Sequence, residues 1–202
     1  MTYKYQLMSL NNSKLSKDGI TSINMPPIVT CPGAGECKKY CYAQVGMQAM
    51  GNPKNFRLRA YQLWLDSPLD FKNIAKEEIR RSGRRIIRWH DSGDIVSLKY
   101  LKMMISIALE MPEIKFYTYS KSISIIRKFG FENLPVNLKI IQSYGGREDH
   151  LIDESYPFAK VFLNKENIPL GFTDMSDSDY LAATTATKIA IVVHGGRKSK
   201  FV

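Results

Sequence analysis

Cysteine is scarce in this chain and confined to one place. Three residues among 202, Cys31, Cys37 and Cys41, fall within a single short segment. An odd, local set excludes the dispersed, even-numbered disulfide framework of a small secreted domain. Long apolar runs are missing too: no stretch approaches the roughly 18 consecutive apolar residues of a membrane-spanning helix. The opening segment, Met1 to Asn12, lacks the basic-then-apolar layout of a secretory signal, so a cytoplasmic location and no membrane partner are expected. No G-x-G-x-x-G follows an early strand, and His194-Gly195-Gly196-Arg197-Lys198 lacks the residue order of a P-loop; neither dinucleotide nor triphosphate binding has motif support. Acidic residues are in deficit, 19 Asp and Glu against 29 Lys and Arg, for a formal net charge of +10. That imbalance points to a polyanionic partner or substrate, nucleic acid or nucleotide, with a solubilising surface as the plain alternative.

The chain is long enough to bury a core without staples and is expected to form a single domain over residues 1–202. Residues 1–24 read as an irregular lead-in and 27–196 as the core. Apolar periodicity predicts helices over Lys54–Asp66, Leu69–Arg81, Ser97–Glu110 (with Ser97 as cap) and Ile123–Phe129. It predicts strands over Ile28–Thr30, Arg85–His90, Lys115–Tyr119, Leu138–Ser143, Ala159–Leu163 and Ile189–Val193, with a weaker helix after Arg147 and a loop-rich stretch over 164–187. Strands separated by helices argue for parallel βα units in an α/β fold, either an open doubly wound sheet or a full or partial barrel. Polar residues cluster after the expected strand ends: Cys31, His90 to Asp94, Ser120-Lys121, Ser143 to Gly146, and His194 to Gly196. In either architecture those ends meet on one face, where sites form.

The cysteines have the spacing C-x5-C-x3-C, in a loop that Pro32, Gly33 and Gly35 allow to turn tightly. Lys38 and Lys39 are placed to keep the thiols ionised. Three thiolates suit a [4Fe–4S] cluster with one open iron, or Zn2+ with a fourth ligand from elsewhere; C-x2-C zinc knuckles are absent, which favours the cluster. Among the other residues, His90 and Asp91 are candidates for a base and its orienting carboxylate. Lys121 is a candidate partner for a carboxylate or phosphate, and Ser143, Gly145, Gly146 and Arg147 for a backbone anion nest. His194 and its glycines are candidates to clamp a phosphate or close the mouth of the site. For each, an ordinary structural role competes: a strand cap, a solvated lysine, a plain turn, a basic tail.

This layout resembles the radical S-adenosylmethionine enzymes, in which a three-cysteine loop follows the first strand of a partial (β/α)6 TIM-type barrel. The resemblance implies a cluster on Cys31, Cys37 and Cys41 whose open iron chelates S-adenosylmethionine. Ser92, Gly93 and Asp94 would hold its amino group, and Ser143 its ribose or carboxylate. The spacing departs from that superfamily's common C-x3-C-x2-C, and Asp94 is shorter than its usual Glu. A second resemblance, to the phage and plasmid "gene product 88" family, rests on Thr30-Cys31-Pro32-Gly33 through Cys41-Tyr42-Ala43, Trp89 to Asp94, Phe116 to Lys121 and Val193 to Phe201. It implies a mobile-element origin and host cytoplasm, and gives no reaction. The readings that follow are an iron–sulfur enzyme of the radical type or, alternatively, a zinc-stabilised basic nucleic-acid binder; the oligomeric state is left open.

Overall fold

The structure is a computed structural model that describes residues 6–9 and 12–193. Its centre is one eight-stranded sheet: β1 (Met8–Ser9), β2 (Ile20–Ile23), β3 (Ile86–Trp89), β4 (Lys115–Ser120), β5 (Leu138–Ser143), β6 (Phe158–Phe162), β7 (Thr173–Asp174) and β8 (Lys188–Val192). The order across the sheet is β1-β2-β3-β4-β5-β6-β8-β7. The β1–β2 pairing is antiparallel and every other pairing parallel.

The helices are α1 (Ser13–Lys17), α2 (Cys37–Tyr40), α3 (Gly51–Asp66), α4 (Pro68–Ser82), α5 (Leu98–Glu110), α6 (Ile123–Phe129) and α7 (Tyr180–Ala183). Their limits follow from local chemistry. Ser67 caps α4 by accepting from the Asp70 amide, and Pro68 occupies its first turn, where a missing N–H costs nothing. Gly83 ends the helix in the left-handed region at φ 65°. Ser97 caps α5 by accepting from the Tyr100 amide, as its position in the sequence predicts.

Alternate strand residues serve two cores. The larger packs Ile87, Trp89, Phe116 and Ile140 against α3 to α6. The smaller joins Tyr117, Ile141, Ala159 and Ile189 to Leu15 of α1 and to Ala182 and Ala183 of α7. Burial on both faces explains why these strands read as near-continuous apolar runs.

The expected partial barrel is not what forms. The sheet is open, with β1 and β7 as its edges, and β7 lies outside β8 rather than continuing the series. The face that a barrel would fill with its own strand side chains is partly covered by α1 and α7. Three local expectations also change. The lead-in holds β1, α1 and β2, so the first parallel strand is residues 20–23. Residues 27–30 form a turn, because Pro26 and Pro27 supply no ladder donor and Thr30 bonds back to the Pro26 carbonyl through both its amide and its hydroxyl. The helix expected after Arg147 is a single 3-10 turn, Asp149–Leu151. No helix among the described residues is long and apolar enough to cross a membrane.

Candidate functional site

The loops that leave the carboxyl ends of β2 to β5, together with the end of β8 itself, enclose a cavity of about 410 Å³. It is lined by all three cysteines and by His90, Asp91, Ser92, Gly93, Asp94, Lys121 and Ser143, so the expectation of one shared mouth holds for these positions. A more open depression of about 650 Å³ lies at the amino-terminal ends, among residues such as Pro112, Val136 and Thr187, and contains none of them.

The segment after β3 is a structural stitch. The Met25 amide donates to the Ser92 carbonyl at 2.9 Å, and the Ser92 hydroxyl donates to the Met25 carbonyl at 3.0 Å. Gly93 has φ 89°, and a Cβ there would lie 2.5 Å from Met25 Cβ and 2.7 Å from Thr30 Oγ1, so only glycine lets the two loops close. Asp94 is buried. Its Oδ1 accepts from the Ile95 amide and the Ser120 hydroxyl, each at 2.6 Å, and its Oδ2 accepts from the Lys121 amide at 2.8 Å. Burial pushes its carboxyl above the usual range, against the lowering effect of those hydrogen bonds. Both oxygens thus hold the loop after β4, and that loop aims Lys121 into the cavity.

Lys121 Nζ donates to Ser143 Oγ at 2.6 Å and has no ion pair among the described residues. The glycine turn after Ser143 already holds an anion of the chain's own: the Gly145 and Gly146 amides each donate to the Asp149 carboxylate at 2.8 Å.

The cysteine loop docks on these two turns. The Cys37 amide donates to the Gly145 carbonyl at 3.0 Å, the Arg147 amide donates to the Gly33 carbonyl at 2.9 Å, and Ala34 bridges Gly146. A Cβ on Gly33 would stand 1.8 Å from the Lys121 carbonyl oxygen. The thiols are unpaired by disulfides. Burial, with Asp94 second, pushes the Cys31 thiol up to about 12; burial raises Cys37 too, although the Lys121 ammonium opposes it. Lys38 and Lys39 are exposed, and Lys39 pairs with Glu36, so these lysines do not hold the thiols ionised.

The metal expectation is overturned. Among the described residues no group of three or more His, Cys, Asp and Glu side chains is arranged to hold a metal ion. The three cysteines sit in different local settings, Cys31 after a turn, Cys37 at the start of α2 and Cys41 in extended backbone beyond it. A [4Fe–4S] cluster and Zn2+ on Cys31, Cys37 and Cys41 are both withdrawn, and with them S-adenosylmethionine on an open iron, the radical-enzyme reading and the zinc-stabilised alternative.

His90 is buried, with backbone φ 62°. Its Nδ1 lies 3.2 Å from Thr118 Oγ1 and its Nε2 3.2 Å from Tyr100 Oη. Burial, with Arg88 second, lowers its pKa to about 3, so the imidazole is neutral. Asp91 turns toward the rim, where it accepts from Asn12 Nδ2 at 2.9 Å and from the Tyr42 hydroxyl at 2.5 Å. His194, Gly195 and Gly196 lie outside the described residues.

Sequence reasoning missed the floor of the cavity. Asp179, on the loop before α7, is buried and accepts from Arg88 Nη1 at 2.7 Å, Lys14 Nζ at 2.6 Å and the Tyr117 hydroxyl at 3.0 Å. Arg88 also lies over the Tyr119 ring, 5.0 Å from its centroid. A charge in the middle of Ile86-Ile87-Arg88-Trp89 was the available signal, since an interior strand of a parallel sheet is buried on both faces. Nothing comparable marked Asp179 in its polar loop.

No curated protein and no solved structure matches the chain. A family profile does, over residues 5–200, and on that match the chain belongs to the Gene product 88 family.

Proposed function

We propose that this protein binds a small anionic molecule, a phosphate- or carboxylate-bearing metabolite or nucleotide, in the cavity at the carboxyl ends of its parallel strands. The observation that carries this reading is Lys121: a cavity-lining ammonium, positioned through its own amide by Asp94 and through Nζ by Ser143, without an ion pair among the described residues. An ammonium has three donors, and Ser143 answers one of them. A phosphate or carboxylate oxygen would take the next, and the Ser143 hydroxyl could donate its own proton to the same anion. The other cavity cations, Lys14 and Arg88, already share an ion pair with Asp179. Val161, Ile191 and Val192 supply an apolar wall for the body of the ligand. The volume suits a small organic molecule, for which pockets of about 300–1,000 Å³ are usual. The neighbouring thiols are protonated at neutral pH where burial raises them, which fits a lining role.

Calorimetric titration of the native protein and Lys121→Gln with nucleoside monophosphates, inorganic phosphate and short carboxylates tests the reading. A hydrogen bond to a charged group contributes about 1.5–3 kcal/mol. Lys121→Gln is therefore expected to weaken binding by about 10- to 100-fold. Equal affinity in the two proteins, or no binding of any of these anions by the native protein, would overturn it.

A further inference from the structure

The opposite end of the sheet carries a second, independent feature. Helix α4 runs out through Arg80 and Arg81, Gly83 reverses the chain, and Arg84 and Arg85 lead into β3. Arg80, Arg81 and Arg85 are exposed. Arg84 is half-buried, its Nη1 resting over Gly19 in the turn between α1 and β2, where an added Cβ would lie 3.7 Å away. The register Ile20↔Ile86 and Ile86↔Lys115 brings exposed Lys17 and Lys115 to the same end of the sheet.

Most acidic groups around this surface already have partners of their own. Glu110 is shared by both Lys72 and Lys76, one and two turns before Arg80 on α4. Glu78 accepts from the Leu7 and Met8 amides while also feeling the charge of Arg81, and Asp18 accepts from Ser178 and the Asp179 amide. Glu77 and Glu113 remain, and none of the four arginines forms an ion pair among the described residues. Opposing the α4 dipole accounts for Arg80 and Arg81 but not for Arg84 and Arg85, which lie beyond the helix.

We propose that this surface binds the phosphate backbone of duplex nucleic acid, without reading its sequence. Guanidinium groups match phosphate oxygens in a forked geometry. A single strand would call for stacking platforms. Among the described residues the exposed large aromatics, Tyr42 and Tyr180, lie on other elements, so the described surface offers charge without stacking.

Fluorescence anisotropy of a labelled mixed-sequence duplex of about 20 base pairs, across about 50–200 mM salt, tests this. Each phosphate neutralised contributes about 0.9 to the slope of log K against log salt, so the four arginines with Lys17 and Lys115 give a slope of about −5.4. The variant R80Q/R81Q/R85Q changes only the exposed three and spares the packed Arg84. It is expected to flatten the slope to about −2.7, while K99Q/K102Q/K128Q, which removes three exposed charges from α5 and α6, leaves it unchanged. Retained binding by Lys121→Gln separates this surface from the cavity. Salt-insensitive binding, tighter binding to a single strand, binding only to anionic vesicles, or a native slope in R80Q/R81Q/R85Q would each overturn the proposal.

Discussion

Gly33→Ala tests how the cavity is assembled. The new Cβ would stand 1.8 Å from the Lys121 carbonyl oxygen and 2.3 Å from its carbonyl carbon. Both are backbone atoms, so no side-chain rotation relieves the overlap. Parting them to an ordinary contact moves one backbone by roughly 1.6 Å, in an interior that is close-packed. That movement breaks the bonds from the Arg147 amide to Gly33 and from the Cys37 amide to Gly145. Two hydrogen bonds at about 1 kcal/mol each, with an overpacking cost of about 1–3 kcal/mol, give a destabilisation of about 3–5 kcal/mol if the shifted loop stays packed against its neighbours. A loop that undocks instead limits the loss to about 2 kcal/mol. Urea unfolding reads either outcome as a midpoint lowered by about 1–2.5 M at an m-value near 2 kcal/mol/M. Gly51→Ala is the control: its Cβ meets nothing within 4 Å and it lies in the first turn of α3, so it is expected to be neutral or slightly stabilising. A Gly33→Ala protein within about 0.5 kcal/mol of native would refute the docking argument.

Removing Asp179 leaves Arg88 and Lys14 without their counter-ion, and Asp179→Asn is expected to cost about 3–5 kcal/mol in chemical denaturation. A loss below about 1 kcal/mol would show that the floor is solvated. His90 sets a pH dependence. Its pKa falls from 6.5 unfolded to about 3 folded, so its stabilising effect is complete above about pH 6.5 and is lost as the pH falls toward 3, at about 1.4 kcal/mol per pH unit. Native stability between pH 6 and 4 should therefore fall more steeply than that of His90→Gln by about that slope, and parallel curves would contradict a buried neutral imidazole.

The helices were legible because their apolar residues recur at helical spacing and their ends carry Ser67-Pro68, Gly83 and Ser97. The interior strands were legible as apolar runs. Strand β2 was not: Ile20-Thr21-Ser22-Ile23 is short and half polar, yet all four residues are buried. The Thr21 hydroxyl donates to the Ser9 carbonyl, and Ser22 Oγ accepts from Asn24. Those partners come from β1 and from the loop, and no periodicity announces them. Of the strand-end polar residues, Cys31, His90 to Asp94, Lys121 and Ser143 meet at one cavity, since parallel topology brings strand ends to one edge. Their chemistry was less readable. C-x5-C-x3-C fixes the chain separation of three thiols but not their directions, which are set by how Gly33 and Gly35 seat the loop on Lys121 and Gly146. The glycine turn looked open for an anion until Asp149, four residues past Gly145, filled it.

NMR of protein carrying 13C-labelled lysine side chains, titrated with a phosphate monoester, reads directly whether Lys121 binds the anion in the cavity. The Lys121 Cε signal, assigned by its disappearance in Lys121→Gln, is expected to shift saturably, while that of Lys14, already paired with Asp179, stays in place. A Lys121 signal unmoved while exposed lysines shift in proportion to ligand would contradict it.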